Sequence, residues 1–302
     1  MRVYRVGVLS IGTAPGTPGR WQVFFDALRG LNYVEGRNLQ LLRGFGGGDF
    51  NRLPGLVSEM IDAGVDVIVA TGTRETRAAK QATATVPIVM THAADPVRDG
   101  FVLSLARPGG NVTGLTSLIP GLAQKYVELL REVVPGAKRF AVINIAPLPF
   151  AEIRRELEEA ASKLGLSIFV LQAKNAGDLR RVMAEARAQS AAGIIHPLDG
   201  GTSTIPVREA LARAALEQRL PGMYWDVAYV EAGGLMTYSV NVEAQYRRAA
   251  AIVDKILQGV KPADLPVELP ARVELVLNLK TARALGLSVP RSILLQADRV
   301  IE

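Results

Sequence analysis

Short apolar runs and amphipathic segments alternate along most of the chain. In the first third, strands and helices are predicted in turn over 3–9, 21–31, 39–43, 53–63, 66–70, 74–83 and 87–90. Glycine and proline stand between these segments, where they are expected to interrupt regular structure. Because strands that alternate with helices pair in parallel through crossover connections, this pattern predicts an α/β unit with a parallel sheet.

The alternation stops over 92–119, a stretch rich in glycine and proline, and then resumes. This stretch holds a short strand near 112–114 and is followed by a helix over 122–133. The second series of strands and helices is predicted over 140–144, 150–164, 167–171, 178–189, 193–197, 207–218 and 221–224. The pattern indicates a second doubly wound unit of about the same size, so the irregular stretch is the natural hinge.

The segments after Gly234 are too short to form a third domain. The sequence predicts a strand over 235–238, a long helix over 242–258, a proline-rich stretch over 261–270, a strand over 274–278 and a helix over 279–285. We interpret them as chain that crosses back between two lobes. The predicted fold class is α/β, with two doubly wound parallel-sheet lobes joined by a multi-stranded hinge and a ligand cleft between them. The N-terminal lobe is assigned 1–116 plus about 241–262, and the C-terminal lobe 117–240 plus about 263–302.

Composition narrows the class of protein. Hydrophobic residues make up 49% of the 302 residues and charged residues 21%, an ordinary globular mixture. No apolar run approaches the roughly 20 residues needed to span a bilayer. The net charge is +6, but Lys and Arg are scattered among acidic residues, so a nucleic-acid surface is not expected. The absence of cysteine excludes disulfides, thiolate metal sites and thiol catalysis.

Motifs that would indicate an enzyme are missing from the sequence. It contains no Gly-x-x-x-x-Gly-Lys-[Ser/Thr] phosphate loop, no Gly-x-Ser-x-Gly nucleophile elbow and no correctly spaced Gly-x-Gly-x-x-Gly. A hydrolase triad could be drawn from Ser10, one of the histidines His92 and His196, and Asp95 or Asp199, but only their positions at strand ends favour it. Two isolated histidines also make a poor metal site. We therefore expect no catalytic residue, no metal and no cofactor.

Candidate ligand-binding residues follow the predicted strands, because open parallel sheets bind ligands beyond the carboxyl ends of their strands. The candidates are Ser10, Thr13, Thr71, Gly72, Thr73, His92, Asp95, Thr116, Asn144, Asp199 and Tyr224.

Three segments that contain these residues suggest particular contacts. Thr71-Gly72-Thr73 leads directly into a helix whose free N–H groups and dipole favour a carboxylate, although either threonine could instead cap that helix. Asp199 is suited to an ammonium group, or alternatively to capping the next helix. Tyr224 would supply a flat apolar wall to the ligand, or would pack in the core.

Several segments carry a resemblance to a known family. They are 31–38, 66–73, 79–83, 104–114, 232–236, 261–268 and 278–282. Together they resemble the ABC-transporter substrate-binding protein family that includes tryptophan- and tyrosine-type binding proteins. The match spans almost the whole chain, and its most specific segment reads LARPGGNVTG over 105–114.

The resemblance implies a type I periplasmic-binding-protein fold. It also implies an exported protein, periplasmic or at the cell surface and often lipid-anchored, although a signal segment is not present in this sequence. The implied ligand is a small molecule, an aromatic or branched amino acid or a similar small zwitterion, passed to the permease membrane subunits of an ABC importer.

Hinge closure on that ligand is the expected mechanism. We expect a monomer that binds no nucleic acid and catalyses no reaction. The first alternative is the effector-sensing domain of a transcription regulator, which shares this architecture. A doubly wound enzyme, such as a racemase or hydrolase, is a more distant one.

Overall fold

The computed structural model of the protein describes residues 2–12, 19–145, 151–197 and 205–302. The chain forms two compact units. The first unit comprises Met1–Ile119 and Asn241–Ala271, and the second comprises Pro120–Val240 and Arg272–Glu302. The chain therefore passes between the units three times. The lobe boundaries predicted at 116/117 and about 262/263 lie slightly earlier in the sequence than these crossings.

The elements follow one another as strands and helices along both units. The strands are β1 (Tyr4–Ser10), β2 (Leu39–Phe45), β3 (Val67–Ala70), β4 (Ile88–Ala93), β5 (Val112–Thr116), β6 (Arg139–Ile145), β7 (Ser167–Ala173), β8 (Ile194–His196), β9 (Gly222–Tyr224), β10 (Met236–Val240), β11 (Val273–Asn278) and β12 (Arg299–Ile301). The helices are α1 (Arg20–Gly30), α2 (Leu53–Asp62), α3 (Thr73–Ala82), α4 (Leu122–Val133), α5 (Ala151–Lys163), α6 (Leu179–Ala188), α7 (Ile205–Glu217), α8 (Val227–Glu231), α9 (Val242–Leu257), α10 (Leu279–Ala284) and α11 (Arg291–Gln296).

A five-stranded parallel sheet in the order β2-β1-β3-β4-β5 forms the centre of the first unit. Every residue of β3 is buried, as expected for a strand whose two faces are both covered. Helix α9 follows the second crossing and packs on α1 and β4, so it belongs to this unit. Because all the ladders are parallel, the carboxyl ends of the strands meet at one edge of the sheet.

A seven-stranded sheet in the order β12-β11-β10-β9-β8-β6-β7 forms the second unit. Its ladders are parallel except that of β10 with β11, which is antiparallel. The pair β10 and β11 is the exception within the predicted parallel-sheet architecture of this unit. Strand β11 follows the third crossing between the units and is not connected to β10 by a helix that packs on the sheet. A crossover helix of that kind is the connection that makes two strands parallel.

Three short elements of the second unit have no counterpart in the prediction. Helices α8 and α11 have five and six residues, and β12 has three. Segments of this length are too short to show a helical or strand period. Among the residues that the structure describes, no helix is both long and apolar enough to cross a membrane.

Candidate functional site

The carboxyl edge of the first sheet gathers several of the predicted residues. Ser10 ends β1, Thr116 ends β5, and His92 is the next-to-last residue of β4. Thr71 follows β3, which lies between β1 and β4. The ladders hold these ends side by side, since β3 is in register with both neighbours up to Ala70. This edge is where ligands of open α/β sheets bind.

The start of helix α3 has no side-chain cap from the described residues. Its N-cap residue is Gly72, and none of those residues accepts a hydrogen bond there through its side chain. The first backbone bond of the helix runs from the Thr76 N–H to the Gly72 carbonyl at 2.9 Å, so the N–H groups before Thr76 have no intrahelical acceptor. Capping by Thr71 or Thr73, the alternative raised by the sequence, does not occur: the Thr73 hydroxyl accepts from the Ala94 N–H at 3.1 Å instead.

Glu75 connects two loops at this edge, and sequence reasoning missed it. Its side chain is buried in the first turn of α3. One carboxylate oxygen, Oε1, accepts hydrogen bonds from the Thr71 hydroxyl at 2.7 Å and from the Ile11 N–H at 2.9 Å. The loop after β1 is thereby held against the loop after β3. A signal was present, because an acidic residue at the third helical position commonly points back toward the helix start.

His92 lies beside the same loop with its orientation fixed. The Thr91 hydroxyl donates its proton to the Thr71 carbonyl at 2.8 Å, so it accepts from the His92 Nδ1–H, also at 2.8 Å. The imidazole contacts the ring of Tyr246 on α9, with centroids 6.2 Å apart. Tyr246 in turn meets Trp21 edge to face at 5.1 Å. An aromatic group thus borders the carboxyl edge.

Other predicted residues of the first unit use their polar atoms in local structure. The Ser10 hydroxyl accepts from the Gly12 N–H at 3.2 Å. Asp95 accepts from the Arg98 N–H at 3.1 Å and so caps the turn after β4. The Thr116 hydroxyl donates to the Ala93 carbonyl at 2.8 Å and accepts from the Leu118 N–H at 3.0 Å. Direct ligand contact by these three residues stays a prediction.

Asn144 lies at the carboxyl end of β6 in the second unit with one atom unpaired. Its Nδ2 donates to Gln172 Oε1 at 3.0 Å. Its Oδ1 is buried and has no hydrogen-bond partner among the residues that the structure describes, and the same holds for the indole N–H of Trp225, after β9. Because buried polar atoms are normally paired, these two atoms are candidates for ligand contact in this unit.

Tyr224 occupies the core of the second unit. Its ring is 1% exposed, stacks on Tyr229 with centroids 5.4 Å apart, and lies so close to Gly234 that a Cβ there would approach the ring within 2.6 Å. Burial raises the pKa of the Tyr224 phenol well above its ordinary value. Tyr224 therefore packs in the core, which is one of the two roles that the sequence suggested for it. A role of its ring as a wall for the ligand stays a prediction.

The second histidine, His196, is fully buried in a structural network. Its Nδ1–H donates to the Ile143 carbonyl at 2.9 Å, and its Nε2 lies 3.1 Å from the Tyr229 hydroxyl. His92 and His196 belong to different units. In the described part of the chain, no three His, Asp or Glu side chains are grouped in a way that could hold a metal ion. Thr13 and Asp199 lie outside the described residues.

Comparison with known proteins identifies relatives over the whole chain. The family model described as "ABC transporter substrate binding protein" matches residues 5–301. A curated tyrosine-binding protein of Clostridioides difficile (strain R20291) is 25% identical over 285 residues, which cover 93% of this chain and 81% of that protein.

Two solved structures share the fold across their full length. A conserved domain protein from Vibrio cholerae O1 biovar El Tor str. N16961 has a TM-score of 0.89 and 27% identity, covering 99% of this chain and 100% of that one. An ABC domain from Streptococcus pneumoniae, solved in complex with L-Trp, has a TM-score of 0.88 and 24% identity, with the same coverage. The fold is that of the type I periplasmic binding proteins.

Proposed function

Because the chain belongs to the ABC transporter substrate-binding protein family, we propose that it is the extracytoplasmic solute-binding component of an ABC importer. Its proposed ligand is an amino acid with an aromatic or branched side chain, or a similar small zwitterion. Its proposed partners are the permease membrane subunits. It works as a monomer in the periplasm or at the cell surface.

The observation that carries the ligand class is the uncapped start of α3. Gly72 caps the helix without a side chain, so several N–H groups point out of the carboxyl edge together with the positive end of the helix dipole. A carboxylate there would accept charge-assisted hydrogen bonds, which are shorter and stronger than neutral ones. The Thr73 hydroxyl, whose oxygen already accepts from Ala94, has its proton left to donate to the same group.

The relatives support an aromatic side chain on the ligand. The curated protein at 25% identity is named for tyrosine, and the Streptococcus pneumoniae structure of the same fold contains L-Trp. The aromatic group of Trp21, Tyr246 and His92 beside the carboxyl edge is compatible with a flat apolar ligand, since rings prefer edge-to-face or offset contacts with one another.

A thermal-shift screen of the purified chain against the standard amino acids tests the proposal. A ligand present at about 100 times its Kd stabilises the folded state by about 2.7 kcal/mol, which raises the melting temperature by roughly 5–10 °C. We expect the largest shifts from tyrosine, tryptophan or a branched amino acid. Tyramine, which lacks the carboxylate of tyrosine, is the matched control and should give a much smaller shift. If no amino acid raises the melting temperature, the proposed ligand class is wrong.

A further inference from the structure

One oxygen of the buried Glu75 carboxylate accepts hydrogen bonds from described residues, and the other does not. Oε1 accepts from the Thr71 hydroxyl and the Ile11 N–H. No described residue donates a hydrogen bond to Oε2, although the side chain is only 5% exposed. A buried carboxylate is costly to keep charged unless a donor or an opposite charge compensates it. Oε1 has two such donors, and the positively charged Arg74 interacts with the carboxylate, so Oε2 is the atom left to accept a hydrogen bond from a ligand.

The space next to that oxygen is left open by a glycine. A Cβ placed on Gly72 would lie 3.2 Å from Glu75 Oε2 and 3.9 Å from His92 Nε2, so both atoms border one small volume. The backbone does not require glycine there, because its φ of −137° and ψ of −168° are extended values that any residue adopts. The missing side chain leaves room for an atom of a ligand between the carboxylate and the imidazole.

We propose that Glu75 binds the ammonium group of the ligand in the space above Gly72, an inference that rests on the proposed function. An ammonium nitrogen in that space would donate to Oε2 and neutralise the buried charge. The Thr73 N–H and hydroxyl lie at the next residue, where α3 begins, so the carboxylate on the same α-carbon of the ligand would be placed close to them. The head group of an α-amino acid, which carries its ammonium and its carboxylate on one carbon, fits this arrangement.

The assignment differs from the one that the sequence suggested. Asp199 was the acidic residue expected to pair with the amine, and it lies outside the described residues. Glu75 carries the same charge at the loop already expected to take the carboxylate. An ordinary structural role for Glu75, limited to joining the loops after β1 and β3, would be served by Oε1 alone. The two roles of this side chain can therefore be separated by experiment.

Glu75→Gln separates them, because the amide keeps an oxygen for Thr71 and Ile11 but replaces Oε2 with an NH₂ group. We expect calorimetric titration with L-tyrosine and L-tryptophan to show a loss of roughly 10- to 100-fold in affinity, with the melting temperature of the unliganded protein nearly unchanged. Gly72→Ala fills the space with a methyl group and should cause a similar loss. Glu59→Gln, an exposed position on α2, is the charge-matched control and should bind as the wild type does.

Ligands without an amine provide a readout that a purely structural role would not move. For 3-(4-hydroxyphenyl)propanoate, the deamino form of tyrosine, Glu75→Gln should bind as well as the wild type or better. Equal losses for tyrosine and its deamino form would overturn the inference, as would an unchanged affinity of Glu75→Gln for tyrosine alongside a loss in Asp199→Ala. If the wild type binds no amino acid at all, the proposed function fails, and the inference fails with it.

Discussion

Gly114 is the position where a single added methyl group should be most damaging to the first unit. It lies in β5 directly opposite Met90 of β4, with a φ of +128°. A Cβ at this position would lie 2.1 Å from the Met90 carbonyl oxygen and 2.6 Å from the Met90 nitrogen. Because both are backbone atoms of a buried central strand, no side-chain rotation can relieve the contact, and the two strands would have to separate.

The cost of Gly114→Ala has two parts. A non-glycine residue held in a sparsely populated backbone region costs on the order of 1–3 kcal/mol, and forcing an extra methyl into a packed interior costs about 1–3 kcal/mol more. The expected destabilisation is therefore about 2–6 kcal/mol, against a total stability of about 5–15 kcal/mol for a typical protein. The same separation would shift Thr116, two residues further along, and with it the carboxyl edge of the sheet.

Urea denaturation followed by tryptophan fluorescence measures this cost in the first unit alone. The chain has two tryptophans, Trp21 in the first unit and Trp225 in the second, so a Trp225→Phe background reports on Trp21. Gly110→Ala is the matched control from the same segment, because a Cβ there meets nothing within 4 Å. If Gly114→Ala lowers the free energy of unfolding by no more than Gly110→Ala does, the steric reasoning is wrong.

Two further predictions concern the second unit. Arg272 lowers the pKa of the Asp298 carboxyl through a hydrogen bond at 2.6 Å. The ion pair therefore stabilises the folded protein fully at pH values above the unfolded pKa of about 3.9. This stabilisation is lost as the pH falls through the lower pKa of the folded state. Asp298→Asn should lower the free energy of unfolding by up to about 1 kcal/mol at pH 7, as measured by urea titration. An equally large decrease at pH 2 would contradict this. Tyr229→Phe removes the hydroxyl that lies 3.1 Å from His196 Nε2 in the core. The substitution should lower the free energy of unfolding by about 1–3 kcal/mol, and a melting temperature equal to that of the wild type would refute this.

The alternating pattern was sufficient to predict most of the fold because strands and helices of ordinary length carry a clear period. Helix α4 was predicted over the same residues that form it, 122–133. The antiparallel strand β11 was predicted as a strand, but its direction depends on where the chain re-enters the sheet, which local pattern does not encode. Helix α8, with five residues, has less than two turns in which a period could be detected.

The candidate site was predicted in part, and the part that was missed has a physical reason. The rule that ligands bind beyond the carboxyl ends of parallel strands located Thr71, Gly72 and His92 at one edge. Glu75 was missed because acidic residues on helices are usually solvated, and its burial follows from the loop after β1, which is distant in sequence. Tyr224 was selected because it ends a strand, but the direction of its ring is set by packing on Tyr229.

The central claim is that the chain binds the charged head group of an amino acid at the carboxyl edge of its first sheet. The most direct test is calorimetric titration of the wild-type protein with the amino acid that gives the largest thermal shift and with its α-carboxamide, which removes only the negative charge. We predict one amino acid bound per chain, and an affinity for the amide weaker by about tenfold or more, or about 1.4 kcal/mol. Equal affinity for the two compounds, or no binding of either, would contradict the claim.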